Sequence, residues 1–529
     1  MLVFALFALA GPARAKAVVA PDQDPFYKDR AGIDQLANGT ILDSREVTAT
    51  IQSAPMPATA WQVKFKTQDT TGAAAAYITT VLVPDTAWTG KGPQPVLSYQ
   101  TPEDGVGLKC APSYMLTGGV NAEGNSSADA GEILSALQKG WIVVVPDYEG
   151  PNSVWLGATG DARGVIDSLH AAFAFKPAKI AKAAPIALWG YSGGAVASSE
   201  AAQMQPSYDP KLNLVGVALG GNNASVKAAT AAFDGSYAGG ALVIGMIGLD
   251  RAYPQYNLKR FLNAPGHAAY DGSQKDCITD AIGKYPFAHA SDYTNNPKAL
   301  DSPEWSAVFK AASPLTFDGT PTAPVYDYHA TGDELAPIGP DRELRARFCA
   351  AGTRVQAIED QGGEHIAEAG TGSSGAMSYI ADRFAGIAAP SNCGTKPTQS
   401  PSCSGKAAGP RAAVTRGSVH ASRRGISLRG TAATGCNAKQ PGVQPAVSRV
   451  SVAIALVSGH RCRFLQRNRR LTAARACTHP VALRATGSTT WRFATKSHLP
   501  RGHYRVYAWA SDTTGRRQSH SQPRLARTI

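Results

Sequence analysis

The residues that first invite a chemical reading lie in "IALWGYSGGAVAS", Ile186 to Ser198. A single serine, Ser192, stands between glycines, and Gly190-Tyr191-Ser192-Gly193-Gly194 reads G-x-S-x-G. In a chain with 53 glycines that pentapeptide alone is weak. Its setting is stronger, because an apolar strand-like run precedes it and an Ala/Ser-rich, helix-like run follows. That is the strand–turn–helix order of a nucleophile elbow. The elbow holds the serine in a strained backbone conformation that lifts Oγ clear of the sheet. Bulk two residues before or after would collide across the turn, so Gly190 and Gly194 are read as sterically required. Ser192 is the candidate nucleophile, and the Gly193 N–H would face the substrate oxygen. The plain alternative is a Gly-rich helix start with a solvated serine.

A serine hydroxyl needs a base to attack anything at neutral pH. With an elbow the chain order is serine, acid, histidine. Downstream the candidates are His267, His289, His329 and His365. His329 falls inside the strand-like "VYDYHA" and is expected to pack or hydrogen-bond there. His267 and His289 fall in a Gly/Asp/Tyr-rich stretch that reads as an insertion. His365, in "DQGGEHIAEAG", follows the last strand and a Gly pair, where a mobile catalytic loop belongs. It is the expected base. Asp333, in the turn "TGDELAP", is the expected acid that fixes the imidazole tautomer. Glu334 is its first rival, and Asp327, within the strand, a weaker one. A second oxyanion donor is expected from Asp104 and its neighbouring N–H groups in "TPEDGVG", which otherwise reads as a solvated acidic turn.

These residues need a scaffold, and the 529-residue chain is long enough for more than one domain. Apolar content of 43% and charged content of 17% fit folded protein. No apolar run approaches the ~20 residues of a membrane helix. "QPVLSYQ", "WIVVVPDYEG", "PIALWGYS", "LVGVALGG", "APVYDYHATGDE" and "TRVQAIED" read as strands. "GEILSALQKG", "DARGVIDSLHAAFAF" (opened by Asp161) and "SGAMSYIADRFAG" read as helices. Such alternation predicts a largely parallel sheet covered on both faces, with its site at the carboxyl ends of the strands.

The net charge of +13 hides a split. Residues 404–529 carry 23 Lys and Arg against one acid, Asp512, a net +22; residues 1–403 carry 29 against 38, a net −9. The join is Pro/Gly/Ser/Thr-rich, which is linker chemistry. Beyond it, "RVSVAIALVS", "TTWRFAT" and "HYRVYAWASD" alternate like strands of an antiparallel sandwich, similar to Ig-like modules. At the start, an apolar run ending in Ala13-Arg14-Ala15 reads as a signal peptide over 1–17. Eight cysteines suit disulfides in an exported, extracellular protein. None forms a C-x-x-C pair, so a zinc ribbon is not expected. Cys462 with Cys477 is the easiest local pair.

Taken together, "DPFY", "SYQTPEDG", "CAPSY", "VVVPDYEGP", "GYSGGA" and "GGEHIAE" resemble the secretory lipase family, of the lipase A type, in family order over roughly residues 22–395. The resemblance implies an α/β hydrolase with a large inserted lid (about 224–318), followed here by a 396–415 linker and a small all-β domain over 416–529. It implies hydrolysis of carboxylic esters, acylglycerols included, with no metal or organic cofactor. By matched motif it makes Ser192 the nucleophile, Asp333 the acid, His365 the base, and Asp104 with Gly193 the oxyanion pair. It also implies disulfides Cys110–Cys277 and Cys349–Cys393. The lid stretch contains "YAGGALVIGMIGL", suited to meeting lipid, or else to packing inside the lid. The basic tail is expected to contact an anionic wall polymer or membrane surface, or simply to be an Arg-solvated accessory domain; no nucleic acid is expected. A serine exopeptidase on the same fold and a binding protein with a decayed site are the rival readings.

Overall fold

The computed structural model describes residues 18–51, 54–119, 125–361, 363–395, 397–400, 410–415, 417–433, 447–459, 461–512, 517–518 and 525–528. The proposed signal peptide, Cys403 and Cys436 lie outside them. Apart from a small pair, Thr50–Ile51 with Ala54–Pro55, the strands of the acidic part are β1 (Ile41–Val47), β2 (Ala58–Gln68), β3 (Ala74–Pro84), β4 (Val96–Gln100), β5 (Ile142–Pro146), β6 (Ile186–Tyr191), β7 (Leu214–Gly220), β8 (Val325–Ala330), β9 (Val355–Asp360) and β10 (Thr398–Ser400). Helices of seven residues or more are α1 (Asn125–Gln138), α2 (Thr159–Ala174), α3 (Gly193–Tyr208), α4 (Val226–Phe233), α5 (Ala241–Ala252), α6 (Ala264–Gly272), α7 (Ile278–Lys284), α8 (Pro303–Ala311), α9 (Ile338–Ala350) and α10 (His365–Phe384). Among the described residues no helix is long and apolar enough to cross a membrane.

The chain packs as two compact units. One comprises the chain up to Thr89, Glu103–Lys182 and Gly235–Ser302. Its strands β1, β2, β3 and β5 pair antiparallel in that order, with Val63 opposite Thr79 and Val81 opposite Val144. Helix α2 begins at Thr159, two residues before the expected opener. Asp161 instead sits in the first turn, where its buried carboxylate accepts from the backbone of Gly157 and Ala158. That hydrogen bonding satisfies orphan donors of the helix start from inside the helix. The apolar "ALVIGMIGL" forms α5, and Val243, Ile244, Met246, Ile247 and Leu249 are buried. The packed reading of this stretch therefore prevails over an exposed lipid-facing one. Cys110 and Cys277 are bridged within this unit.

The other unit comprises Gly90–Pro102, Ala183–Asp234 and the chain from Pro303 on. Here the expected parallel sheet is present, in the order β4-β6-β7-β8-β9-β10. Strands β4, β6 and β8 are buried along their whole length. Such double-sided burial explains their unbroken apolar sequences. Helix α3 packs on β6 and β7, and α10 on β7 and β8. Trp189 and Tyr328 are fully buried, and the indole N–H donates to the Tyr328 hydroxyl at 3.1 Å. Cys349 is bridged to Cys393.

The basic tail forms separate antiparallel sheets, as expected. Strands β11 (Arg411–Val414), β12 (Gly425–Ala433) and β15 (Thr490–Lys496) belong to one, a five-stranded sheet; β13 (Val447–Ser458), β14 (Arg461–Phe464) and β16 (His503–Asp512) belong to the other, a six-stranded sheet. Inward residues of both sheets, among them Ile426, Leu428, Trp491, Val450, Val452 and Val506, form one apolar cluster. On the opposite face of the second sheet, Ala453, Ala455, Tyr507 and Trp509 cluster with Cys462, which is bridged to Cys477.

Candidate active site

Strands β6, β8 and β9 run parallel in one sheet, with β7 between β6 and β8, and each carries one candidate residue just past its carboxyl end. Ser192 directly follows β6, Asp333 lies three residues beyond β8, and His365 five beyond β9. The serine is the N-cap of α3, with φ 52° and ψ −122°. That left-handed conformation is costly for a residue with a Cβ and persists only where the surroundings enforce it. Here the Ser192 N–H donates to the Gly220 carbonyl at 2.9 Å, while Ala195 N–H donates to the Ser192 carbonyl at 2.9 Å. A Cβ on Gly190 would meet the Gly194 carbonyl, and one on Gly194 would meet the Gln100 carbonyl. Both are backbone atoms of packed elements, so the turn closes only with glycine at both positions. Gly193 is the first residue of α3, so its N–H has no acceptor within the helix.

His365 Nε2 lies 2.8 Å from Ser192 Oγ, and His365 Nδ1 lies 2.7 Å from Asp333 Oδ2. Asp333 is buried, and its other oxygen accepts from the N–H groups of Leu335 at 3.0 Å and Ala336 at 2.7 Å. Burial by itself would raise this carboxyl. The contacts and charge of His329 and His365 outweigh it and hold Asp333 well below the ordinary carboxylate range. Ser192 is only partly buried.

His365 differs from its sequence reading in one respect. It occupies the first turn of α10, whose N-cap is Glu364, and not a mobile loop. The Glu364 carboxylate accepts from the Ile366 and Ala367 N–H groups. Glu334, the rival acid, accepts the His365 backbone N–H at 3.1 Å, so it anchors the histidine through its main chain. The Tyr191 hydroxyl donates to the His365 carbonyl. Asp327 faces away into an ion pair with Arg345 at 3.2 Å. His267 lies in α6 and His289 caps a short helix at Ala290–Tyr293.

His329 is packed and hydrogen-bonded within the fold as expected, but its contact with Asp333 is one the sequence did not disclose. It is fully buried, with Nε2 2.8 Å from the Ala336 carbonyl and 3.4 Å from Asp333 Oδ2, and Nδ1 3.4 Å from Asp341 Oδ2. Burial opposes its cation, but Asp333 and Asp341 outweigh that and raise its pKa well above the ordinary histidine value. Behind it, Arg345 contacts Asp341, Asp327 and Glu359. Spacing of i and i+4 links His329 to Asp333 across a strand end, and no helical or strand period would have marked that pair.

Asp104 belongs to the other compact unit. It is buried, has φ 32°, and its carboxylate accepts from the Trp155 indole at 3.0 Å. It is thus held in a strained conformation inside the protein and does not form a solvated turn.

Residues 123–392 match the model of the family described as secretory lipase. The chain is 31% identical over 409 residues to lipase 4 of Candida albicans, covering 74% of this chain and 88% of that one. It is also 31% identical over 372 residues to a probable inactive lipase of Mycobacterium tuberculosis, covering 69% of this chain and 83% of that protein. The solved structure of Candida antarctica lipase A in its closed state is 27% identical, with a TM-score of 0.68 over 73% of this chain and 93% of that chain. With the parallel sheet and its elbow in place, these likenesses make the chain an α/β-hydrolase and a carboxylic ester hydrolase belonging to the secretory lipase family.

Proposed function

We propose that this protein cleaves esters through a Ser192–His365–Asp333 triad and a covalent acyl-enzyme. The observation that carries the reading is the unbroken line Asp333–His365–Ser192, with contacts of 2.7 and 2.8 Å at the carboxyl ends of parallel strands. His365 Nε2 takes the Ser192 proton as Oγ attacks the ester carbonyl carbon. Asp333 fixes the ring with Nδ1 protonated and stabilises the imidazolium that forms. The Gly193 N–H meets the oxyanion, with Asp104 kept, on its motif, as the second donor. His365 then gives its proton to the departing alcohol oxygen as the C–O bond breaks. Water, deprotonated by His365, attacks the acyl-enzyme, and the proton returns to Ser192 as the carboxylic acid leaves. Acylglycerols are the proposed substrate class.

Ser192→Ala should lower turnover of a soluble ester by about 10⁴-fold or more and abolish labelling by an organophosphonate. Wild-type esterase activity in that variant would overturn the assignment. A folded wild-type protein that ignores the phosphonate would favour a decayed site, and hydrolysis of peptides over esters an exopeptidase. A chain-length series across the solubility limit separates lipase from esterase: a rate jump only with aggregated long-chain substrate marks the lipase.

The protein is further read as exported, which its disulfides support. The proposed division is a catalytic domain over 22–395 with its lid at about 224–318, a linker at 396–415, and a basic β domain over 416–529 that attaches the enzyme to anionic surfaces.

A further inference from the structure

We propose that the basic tail carries a specific binding cleft for the phosphates of a polyol-phosphodiester polymer. The inference rests on reading the tail as a surface-binding module, and it gives that module a site. A cleft of about 410 Å³ is lined by Arg449, Arg467, Arg484 and Arg517, with Ser451 and Trp509 among its other walls. Strand register builds it. Arg449 and Ser451 alternate onto the outer face of β13; Ser451 stands opposite Trp509 on one side and Arg484 on the other, and Arg449 opposite Ser511, which bridges to Arg517.

Among the described residues none of these four guanidinium groups has a hydrogen bond or an ion pair, and no carboxylate lines the cleft. Four like charges around one concavity repel one another and focus a positive potential into it. A planar guanidinium fork matches phosphate oxygens in pairs, so an occupant with repeated phosphates offsets that repulsion directly.

The surroundings select among phosphate carriers. Among the described residues the exposed large apolar ones are Val18, Val19, Leu36, Tyr237, Phe287, Ile366 and Ile387, and none of these belongs to the tail. Membrane binding would lack an apolar anchor there. Nucleic acid would lack an exposed aromatic platform on which to stack bases, because Trp509 is only 5% exposed and Tyr507 1%. A polymer of phosphodiester-linked polyols needs neither.

The test is equilibrium binding of the full chain to poly(glycerol phosphate) at about 0.1 M salt. One variant carries Arg449→Gln, Arg467→Gln, Arg484→Gln and Arg517→Gln. A second removes the same charge elsewhere on the tail, by Arg411→Gln, Arg423→Gln, Arg492→Gln and Arg501→Gln. The cleft variant should lose roughly tenfold or more in affinity and the control variant at most about threefold. Equal losses would overturn the cleft while leaving a diffuse electrostatic tail. No binding to any anionic probe would overturn both. Tighter, cleft-dependent binding to single-stranded DNA or to phosphatidylglycerol vesicles than to the polymer would overturn the polyol assignment. Hydrolysis of a soluble ester should be unchanged in both variants; loss of that activity in the wild type with binding intact would count against the triad alone.

Discussion

Asp333 is shared by two histidines, and only one of them faces the serine. His365 takes one edge of the carboxylate and His329 approaches from within the fold. The groups facing His329 are Asp333 and the Ala336 carbonyl from the turn after β8 and Asp341 from α9, with Arg345 and Asp327 behind and Glu368 contributing from α10. We expect His329→Asn to lower kcat on a soluble ester by roughly 10- to 100-fold through misplacement of Asp333. Without the neighbouring cation Asp333 protonates more easily, so the acidic limb of the pH–rate profile should move to higher pH. A merely structural role would lower thermal stability and leave that limb in place. The stability effect has its own sign. A histidine whose pKa is raised by folding contributes most below its ordinary value of about 6.5 and loses that contribution as pH rises through the raised value. The variant's deficit should therefore be largest in acid.

At the scale of elements, the decisive junction is β6–elbow–α3. Its two glycines face backbone carbonyls and cannot be relieved by side-chain motion. Gly194→Ala should destabilise by at least about 3 kcal/mol, the upper end of overpacking costs, seen as a lower denaturant midpoint, with esterase activity lost as Ser192 is displaced. The elbow was legible in the sequence because strand end, turn and helix start are contiguous. The start of α10 was not, because glutamate is a poor N-cap by preference and "GGEH" has the composition of a loop. Asp161 misled in the opposite way: aspartate favours N-caps, yet here it caps from the first turn while Ala158, at φ 41°, takes the N-cap position.

For the whole molecule, buried carboxyls set the pH dependence of stability. Burial is the first cause in each of the following cases. It pushes Asp147 up to about 7 and Glu368 up to about 8, and raises Glu103, Glu149 and Asp161 well above the carboxylate range. The folded state then binds more protons than the unfolded chain across mildly acidic to neutral pH, so stability falls as pH rises through that window. The opposite set, Asp333, Asp341 and Glu359, has lowered values and loses its contribution only in strong acid. Thermal melts should show the highest midpoint near about pH 5 and a fall of several degrees by about pH 8. A midpoint that rises over that range would show these carboxyls to be ionised in the fold.

The sequence by itself determined what is local or additive. The parallel strands appeared as runs of apolar residues because both of their faces are buried. The elbow appeared as paired glycines because backbone meets backbone there, and the split between an acidic and a basic part is simply a sum of charges. Chain order and the family likeness then singled out Asp333 and His365, and the same likeness, not any spacing, paired Cys110 with Cys277 and Cys349 with Cys393. Only the tertiary structure decided which groups share a carboxylate, which apolar helix is packed, and which four of the tail's arginines line one cleft. Those outcomes depend on register between strands and on contacts between residues far apart in the chain. A one-residue slip would send every side chain of a strand to the other face, and no property of a short segment records which register is taken.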